Sequence, residues 1–524
     1  MEGDTSPSPR EDVPLTYRFF RMFFRFLTNI WFREVDMVDN EQTDDRGILF
    51  ITWHPNGLID PMVMTSRLHG KLTTLVQHSL FRMPLIGFFF RMAGVVALET
   101  PKKKDGLSNS VSKNDEILKQ MAQEIAKGGQ VLMFPEENTH GLASVQKIRS
   151  GAARIMLQAQ RIANEMGRPE PRIIPVGLHY SDSSRFRERA AIVLERPMDL
   201  PELPAQPEQE HLWVEKVTAA IETELKRANL SKTSWEERTL IWKGRSVVYA
   251  EKQRQSGNSL TRLSYTESIL GARRLRAGWE YMMLHEPERT QALASECEEH
   301  FRRLELLHLT PYDVDARPKQ LDFVGYFRIM ALWLWSVVWM FGLVTWGAMI
   351  GNYLPYKFQD LLQWFTKKAR IEDSLQGSIK VLSSMFIFPL WWATLSVIMA
   401  WLLLDNTSPI FVFLSENAVL KYVTTLPSIG VFLFFFFFWP LTAKAHMKLY
   451  ARFVRSTRRI IQWKAWKNDS TDWEFLISTQ QRLALRLVNI GADLVLPGDE
   501  EWIDPPAGQD DAAVVKRREK GIAN

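Results

Sequence analysis

Residues 47–53, Gly-Ile-Leu-Phe-Ile-Thr-Trp, are apolar at nearly every position, as a strand buried on both faces should be. Further along, Ile117, Leu118, Met121 and Ile125 fall on one face of a helix over 113–127. Ser112 and Asp115 stand at capping-box spacing before it, and Gly128-Gly129 ends it. Strands are then expected at 130–134, 172–180 and 190–195, with a helix over 152–166 and a proline-rich linker at 197–207. Strands alternating with helices of this length predict an α/β domain, a mixed sheet flanked by helices, over residues 45–207.

Outside that domain the pattern changes twice. Residues 208–325 are polar and rich in Arg and Glu, and read as a helical connecting or lid region. Then come three uncharged runs, Ile329–Ile350, Val381–Leu404 and Tyr422–Ala443, of 22, 24 and 22 residues. Each can cross a hydrocarbon core of about 30 Å. Lys444, Lys448, Arg452 and Arg455 follow the last run. Three spans over 326–445 put the two basic flanks on opposite sides of a membrane, and an extra spanning or re-entrant element would bring them to the same side. The segment 410–420 is short and polar for that role. Residues 446–524 read as a soluble C-terminal tail with an unstructured charged end.

The N-terminal residues 1–14 are acidic and Ser/Pro-rich, without signal-peptide order, and are expected to be disordered. Residues 15–44 begin with aromatic residues interrupted by Arg18, Arg21, Arg25 and Arg33 at helical spacing. That run is too charged to span a bilayer and reads as an amphipathic helix lying in the membrane interface. The net charge of +5 is mild; it suits anionic lipid or a phosphate ligand, and no nucleic-acid partner is expected. A single cysteine, Cys297, excludes an internal disulfide and a cysteine-based zinc site. His69, His78, His140 and His179 match no metal-ligand spacing, so no metal is expected.

His54 follows the first strand at once, and Asp60 lies six positions further on. An imidazole at a strand's carboxyl end can take a proton from an alcohol, and a nearby carboxylate can hold its tautomer. By themselves the two residues are a common coincidence. Further blocks follow in order. Phe134, Pro135 and Glu136 come after a strand, with Thr139 and His140 close behind. Lys147 and Arg149 precede a Gly-Ala-Ala helix start suited to phosphate. Pro175-Val176-Gly177 comes next, and Arg187 stands in the segment that closes the domain.

On these motifs residues 45–200 resemble the glycerol-phosphate/lysophosphatidate acyltransferase family. The resemblance is closest to the branch of fungal-type glycerol-3-phosphate and dihydroxyacetone-phosphate acyltransferases, which also carry trailing membrane helices. It implies that His54 is the base and Asp60 its orienting carboxylate. Five residues separate them where four are commoner in the family, and the fungal-type branch shares the longer spacing and the Asp60-Pro61 pair. Phe134, Pro135, Glu136 and Thr139 match the acceptor-binding block, with Glu137 in place of its usual glycine. The block in which an Arg should follow Gly94 has Thr100 there instead, so Lys102, Lys103 or Lys104, or Arg149 or Arg187, is left to hold phosphate.

The resemblance implies transfer of an acyl chain from acyl-CoA, as co-substrate and without a further cofactor, to a hydroxyl of glycerol 3-phosphate. Lysophosphatidate and dihydroxyacetone phosphate are the alternative acceptors, and a non-catalytic membrane scaffold is the alternative of another class. A hydrolase would need a nucleophile elbow of the G-x-S-x-G type, which the chain lacks. The expected setting is a bilayer with the active site facing the cytosol, in the endoplasmic reticulum or a bacterial inner membrane. Residues 80–98 allow two readings, a core helix plus strand or a membrane-dipping face that admits the acyl chain.

Overall fold

The computed structural model describes residues 13–38, 46–77, 96–98, 107–136, 141–181, 186–257, 263–314, 323–368, 373–417, 420–468 and 470–518. Helix α1 (Leu15–Trp31) is followed by β1 (Glu34–Val38), β2 (Ile48–Thr52), α2 (Ile59–Arg67), β3 (Leu72–Gln77) and β4 (Val96–Leu98). Next come α3 (Leu107–Ala126), β5 (Gln130–Met133), α4 (Gly151–Glu165), β6 (Arg172–Tyr180) and β7 (Arg189–Leu194). The seven strands form one mixed sheet in the order β1-β7-β6-β2-β5-β3-β4, antiparallel only between β6 and β7. Strand β2 lies at its centre with every residue buried, as its unbroken apolar run requires.

Several boundaries differ from the pattern-based expectation. The segment 15–44 is not one interfacial helix, because α1 ends at Trp31 and residues 34–38 join the sheet beside β7. Helix α3 begins at Leu107, so Ser112 and Asp115 lie inside it instead of at its start. Strand β3 is an addition to the expected strands, and β4, at the sheet's far edge, falls in residues 80–98, where one of the two readings holds a strand. Residues 1–12, His78, residues 80–95, Gly94, residues 99–106 with Thr100 and Lys102, and residues 137–140 with Thr139 and His140 lie outside the described residues.

Helix α1 divides its surface sharply. Leu15, Phe19, Met22, Phe26 and Ile30 are exposed at three- and four-residue spacing, whereas Tyr17, Phe20, Thr28 and Trp31 are buried. The Tyr17 hydroxyl accepts the Leu72 N–H at 2.9 Å and ties the helix to β3.

The connecting region consists of α5 (Glu210–Ala228), α6 (Trp235–Gln255), α7 (Tyr265–His285) and α8 (Pro287–Leu306). Helix α5 packs on β6, where Gly177 is required: a Cβ there would stand 2.5 Å from the Ala228 carbonyl oxygen. Helix α7 covers the β1–β7 edge, and Glu34 accepts the Tyr265 N–H at its start.

The apolar third forms α9 (Phe323–Met340), α10 (Leu343–Lys368), α11 (Asp373–Leu404), α12 (Pro409–Glu416) and α13 (Ser428–Asn468). Helix α13 packs against α9, α10 and α11. Three described helices are long and apolar enough to cross a membrane, within Phe323–Met340, Gly377–Leu404 and Ser428–Asn468. Their exposed surface carries Trp335, Trp401, Phe434 and Phe437, which lipid would cover.

The first expected span, 329–350, is corrected by a break at Phe341-Gly342. There the Trp346 indole donates to the Phe341 carbonyl and Thr345 to the Trp339 carbonyl, satisfying groups that the helix end leaves open. Because both sides of this turn are apolar, hydropathy alone did not reveal it. The third run begins as a 3-10 turn, and its helix starts only at Ser428.

The tail is folded as well. Helix α14 (Ser470–Ala492) packs on α6, α8 and α13, and β8 (Leu494–Val495) pairs with β9 (Lys516–Arg517). Arg273 bonds Asp511 and Glu195, and Arg276 bonds Asp510. The charged end of the chain, through residue 518, is thus neutralised against α7 instead of lying loose.

Candidate active site

Strands β2, β5 and β6 run parallel, so their carboxyl ends meet at one edge of the sheet. In open α/β sheets that edge is where ligands bind. His54 leaves β2 there, Phe134, Pro135 and Glu136 leave β5, and Tyr180 ends β6.

The turn after β2 needs Gly57, whose φ of 55° lies in the left-handed region. It brings Asp60 into the first turn of α2, fully buried, under the imidazole. His54 Nδ1 lies 3.0 Å from Asp60 Oδ2, and the same oxygen accepts the Asn56 N–H at 2.8 Å. The other oxygen, Oδ1, accepts the Tyr180 hydroxyl at 2.8 Å. Burial first, and the Asp60 charge second, push the Tyr180 phenol well above its ordinary titration range, so it stays a donor. With Nδ1 held by Asp60, the ring directs Nε2 the other way, and the side chain is 22% exposed. A base oriented by a carboxylate and open on its far nitrogen is equipped to take a proton from a bound hydroxyl.

Phe134 stacks on the imidazole, with ring centroids 4.2 Å apart. Glu136 is a brace between loops. One carboxylate oxygen accepts the His54 backbone N–H at 2.7 Å, and the other accepts the Gln146 N–H at 2.7 Å. Both oxygens therefore bind backbone, and the carboxylate ties the loop after β2 to the loop before α4. The Pro135 carbonyl accepts the Arg149 N–H at 2.9 Å, and Glu136 bridges Ile148. Lys147 and Arg149 thus stand on a loop strapped to the His54 loop, with both side chains exposed.

Arg187 is placed elsewhere. Its Nη1 donates to the Asn29 and Phe32 carbonyls at 2.9 and 3.2 Å, and its own N–H bonds the Trp31 carbonyl. It satisfies carbonyls at the end of α1 with one arm of its guanidinium and with its backbone N–H.

Behind the site, the Trp53 indole donates to the Leu178 carbonyl at 2.8 Å. The Arg238 guanidinium lies over the rings of Trp53 and Trp235, and burial lowers it to about 10. His179, fully buried, is pushed down to about 3 by burial and secondarily by Arg238. Among the described residues no group of three or more His, Cys, Asp or Glu lies close enough to hold a metal ion.

Sequence reasoning passed over Asn56, Tyr180 and Ser378. The first two lie between His54 and Asp60 and at the end of β6. Ser378 belongs to a bundle helix more than three hundred residues from the loop it touches, and no local pattern points to it.

Residues 20–179 match the protein-family model described as Acyltransferase. That stretch contains His54, Asp60, Phe134 and Glu136 and stops one residue before Tyr180. A search of curated proteins gave no match. Among solved structures, the chain is similar to that of the 1-acyl-sn-glycerophosphate (LPA) acyltransferase PlsC from Thermotoga maritima. The identity is 16%, over 38% of this chain and 76% of that one, with a TM-score of 0.28. The N-terminal part of the chain is accordingly an acyltransferase domain, followed by a helical region with several candidate membrane-spanning helices.

Proposed function

We propose that this acyltransferase domain, carried on a bundle of membrane helices, moves an acyl chain from acyl-CoA to a hydroxyl of glycerol 3-phosphate. The observation that carries the reading is the His54–Asp60 contact of 3.0 Å at the carboxyl edge of the sheet. Nε2 of His54 takes the proton of the acceptor hydroxyl as its oxygen forms a bond to the thioester carbonyl carbon. The carbon–sulfur bond then breaks, and the proton held by the imidazole passes to the departing coenzyme A thiolate. Asp60, fixed by Asn56 and Tyr180, stabilises the imidazolium between these events.

Arg149 and Lys147 are the described candidates for the acceptor phosphate, being exposed cations on the loop strapped to His54 by Glu136. Lys102 and Thr139, outside the described residues, complete the proposed acceptor set. The exposed apolar stripe of α1 and the three apolar helices support a setting at the lipid–water interface, and the proposal puts the site on the cytosolic side.

The test uses membranes containing the full chain, labelled acyl-CoA and three acceptors: glycerol 3-phosphate, dihydroxyacetone phosphate and lysophosphatidate. Glycerol 3-phosphate should be acylated fastest, and His54→Ala should abolish the transfer. Preference for another acceptor would overturn the substrate assignment, and substantial activity in His54→Ala would overturn the base.

A further inference from the structure

The turn that carries His54 to Asp60 is held from outside the acyltransferase domain. Ser378, in the first turns of α11, is buried and donates its hydroxyl to the Asn56 carbonyl at 2.6 Å. The same oxygen accepts the Leu58 N–H at 3.0 Å. One hydroxyl therefore grips the peptide groups on both sides of Gly57, the left-handed residue of the turn. Leu58 is the N-cap of α2 and provides no side-chain cap, so its N–H is one of the donors that a helix start leaves open. Three residues further along α11, Val381 is buried in the core of the acyltransferase domain.

The contact continues into the site. The Asn56 N–H bonds Asp60 Oδ2, and that oxygen meets His54 Nδ1. A path thus leads from a bundle helix to the base: the Ser378 hydroxyl, the Asn56 backbone through its carbonyl and its N–H, the Asp60 carboxylate and the imidazole. Ser378 itself lies within the candidate span Gly377–Leu404. The helix that would enter the bilayer therefore begins on the catalytic turn.

We infer that Ser378 is a positioning residue, through which the docked membrane bundle sets the geometry of the His54–Asp60 turn. The inference rests on the acyl-transfer reading for its effect on rate, though not for its effect on the loop. Without the hydroxyl, the Leu58 N–H loses a buried acceptor and the turn is free to shift, moving Asp60 relative to the imidazole. Such a shift lowers turnover while leaving residues at the substrate-binding positions in place.

The test compares the full chain, in membranes or detergent, with Ser378→Ala, Ser378→Thr and Ser383→Ala. Ser383, on the same helix, bonds Gln359 within the bundle at 2.6 Å and serves as the control for a lost bundle hydrogen bond. Hydrogen exchange of peptides spanning 54–62 gives a readout that needs no activity. Ser378→Ala should speed exchange there by about tenfold. It should also lower kcat for acyl transfer by about 10- to 100-fold, with KM for both substrates nearly unchanged. Ser378→Thr, which keeps the hydroxyl, should restore both readouts, and Ser383→Ala should change neither.

Unchanged exchange in Ser378→Ala, equal effects in Ser383→Ala, or no rescue by threonine would each overturn the inference. If the wild-type chain shows no acyl transfer, the functional reading fails while the exchange measurement still decides the positioning role.

Discussion

Replacing Asp60 by asparagine removes one charge from the centre of the site and leaves its shape almost intact. The side chain is fully buried and meets four donors: His54 Nδ1 and the Asn56 N–H at one oxygen, and the Tyr180 hydroxyl with the more distant Asn56 amide, at 3.5 Å, at the other. An amide can take two orientations. With its NH2 toward Asn56, two N–H groups would face each other and the buried Asn56 donor would go unmet, at a cost of about 1–3 kcal/mol. With its NH2 toward Tyr180, the phenol can rotate and accept, and only the long 3.5 Å contact from the Asn56 amide is given up. The second orientation is favoured, and it preserves the tautomer of His54.

What Asp60→Asn then loses is the carboxylate charge opposite the imidazolium. A unit pair about 4 Å apart near a protein surface interacts by about 4 kcal/mol. Losing most of that corresponds to a fall of about 10²- to 10³-fold in kcat. The assay is steady-state acyl transfer from labelled acyl-CoA, together with a thermal melt. KM for the acceptor should hold and the melting temperature should change little. Activity within tenfold of wild type would refute the role of Asp60 as the counter-charge. A collapse of the melting temperature would show that its hydrogen bonds, not its charge, are what the protein needs.

Other outcomes follow from neighbouring contacts. Glu136→Gln offers one oxygen to two backbone donors, at His54 and Gln146, so it should destabilise the protein by about 1–3 kcal/mol, read by denaturation. Arg187→Ala should cost about 1 kcal/mol of stability through α1 with no change in acceptor KM, whereas Arg149→Ala should raise that KM more than the one for acyl-CoA. His179 titrates at about 3 in the fold against 6.5 for the free side chain, so the unfolded chain binds the extra proton between those values. Its contribution is therefore intact above pH 6.5 and is lost as pH falls toward 3, at up to about 1.4 kcal/mol per unit. His179→Leu should flatten the decline of stability between pH 6.5 and 5; an unchanged slope would remove His179 as its source.

The strands β2, β5, β6 and β7 and the helix α4 could be read from the chain because each is a continuous apolar or periodic run whose burial is decided locally. The edge strands β1 and β4 are short, and they become strands because a neighbouring strand offers them hydrogen-bond partners. The same reasoning explains the break at Phe341-Gly342. A turn inside an apolar stretch is written in backbone geometry and in the side chains of Thr345 and Trp346, not in hydropathy.

By itself the sequence determined the α/β class, the apolar helices and the residue types able to do the chemistry, since these depend on composition and spacing along one segment. Tertiary structure alone decided what those residues do. Folding gives both Glu136 oxygens and the Arg187 Nη1 backbone partners on other elements, which the chain's local pattern does not show. Asn56, Tyr180 and Ser378 gain their roles only when β2, β6 and α11 converge on Asp60 and its turn. A hydrogen bond reaches about 3 Å, and the chain brings these groups within that reach only after folding across separations of up to 322 residues.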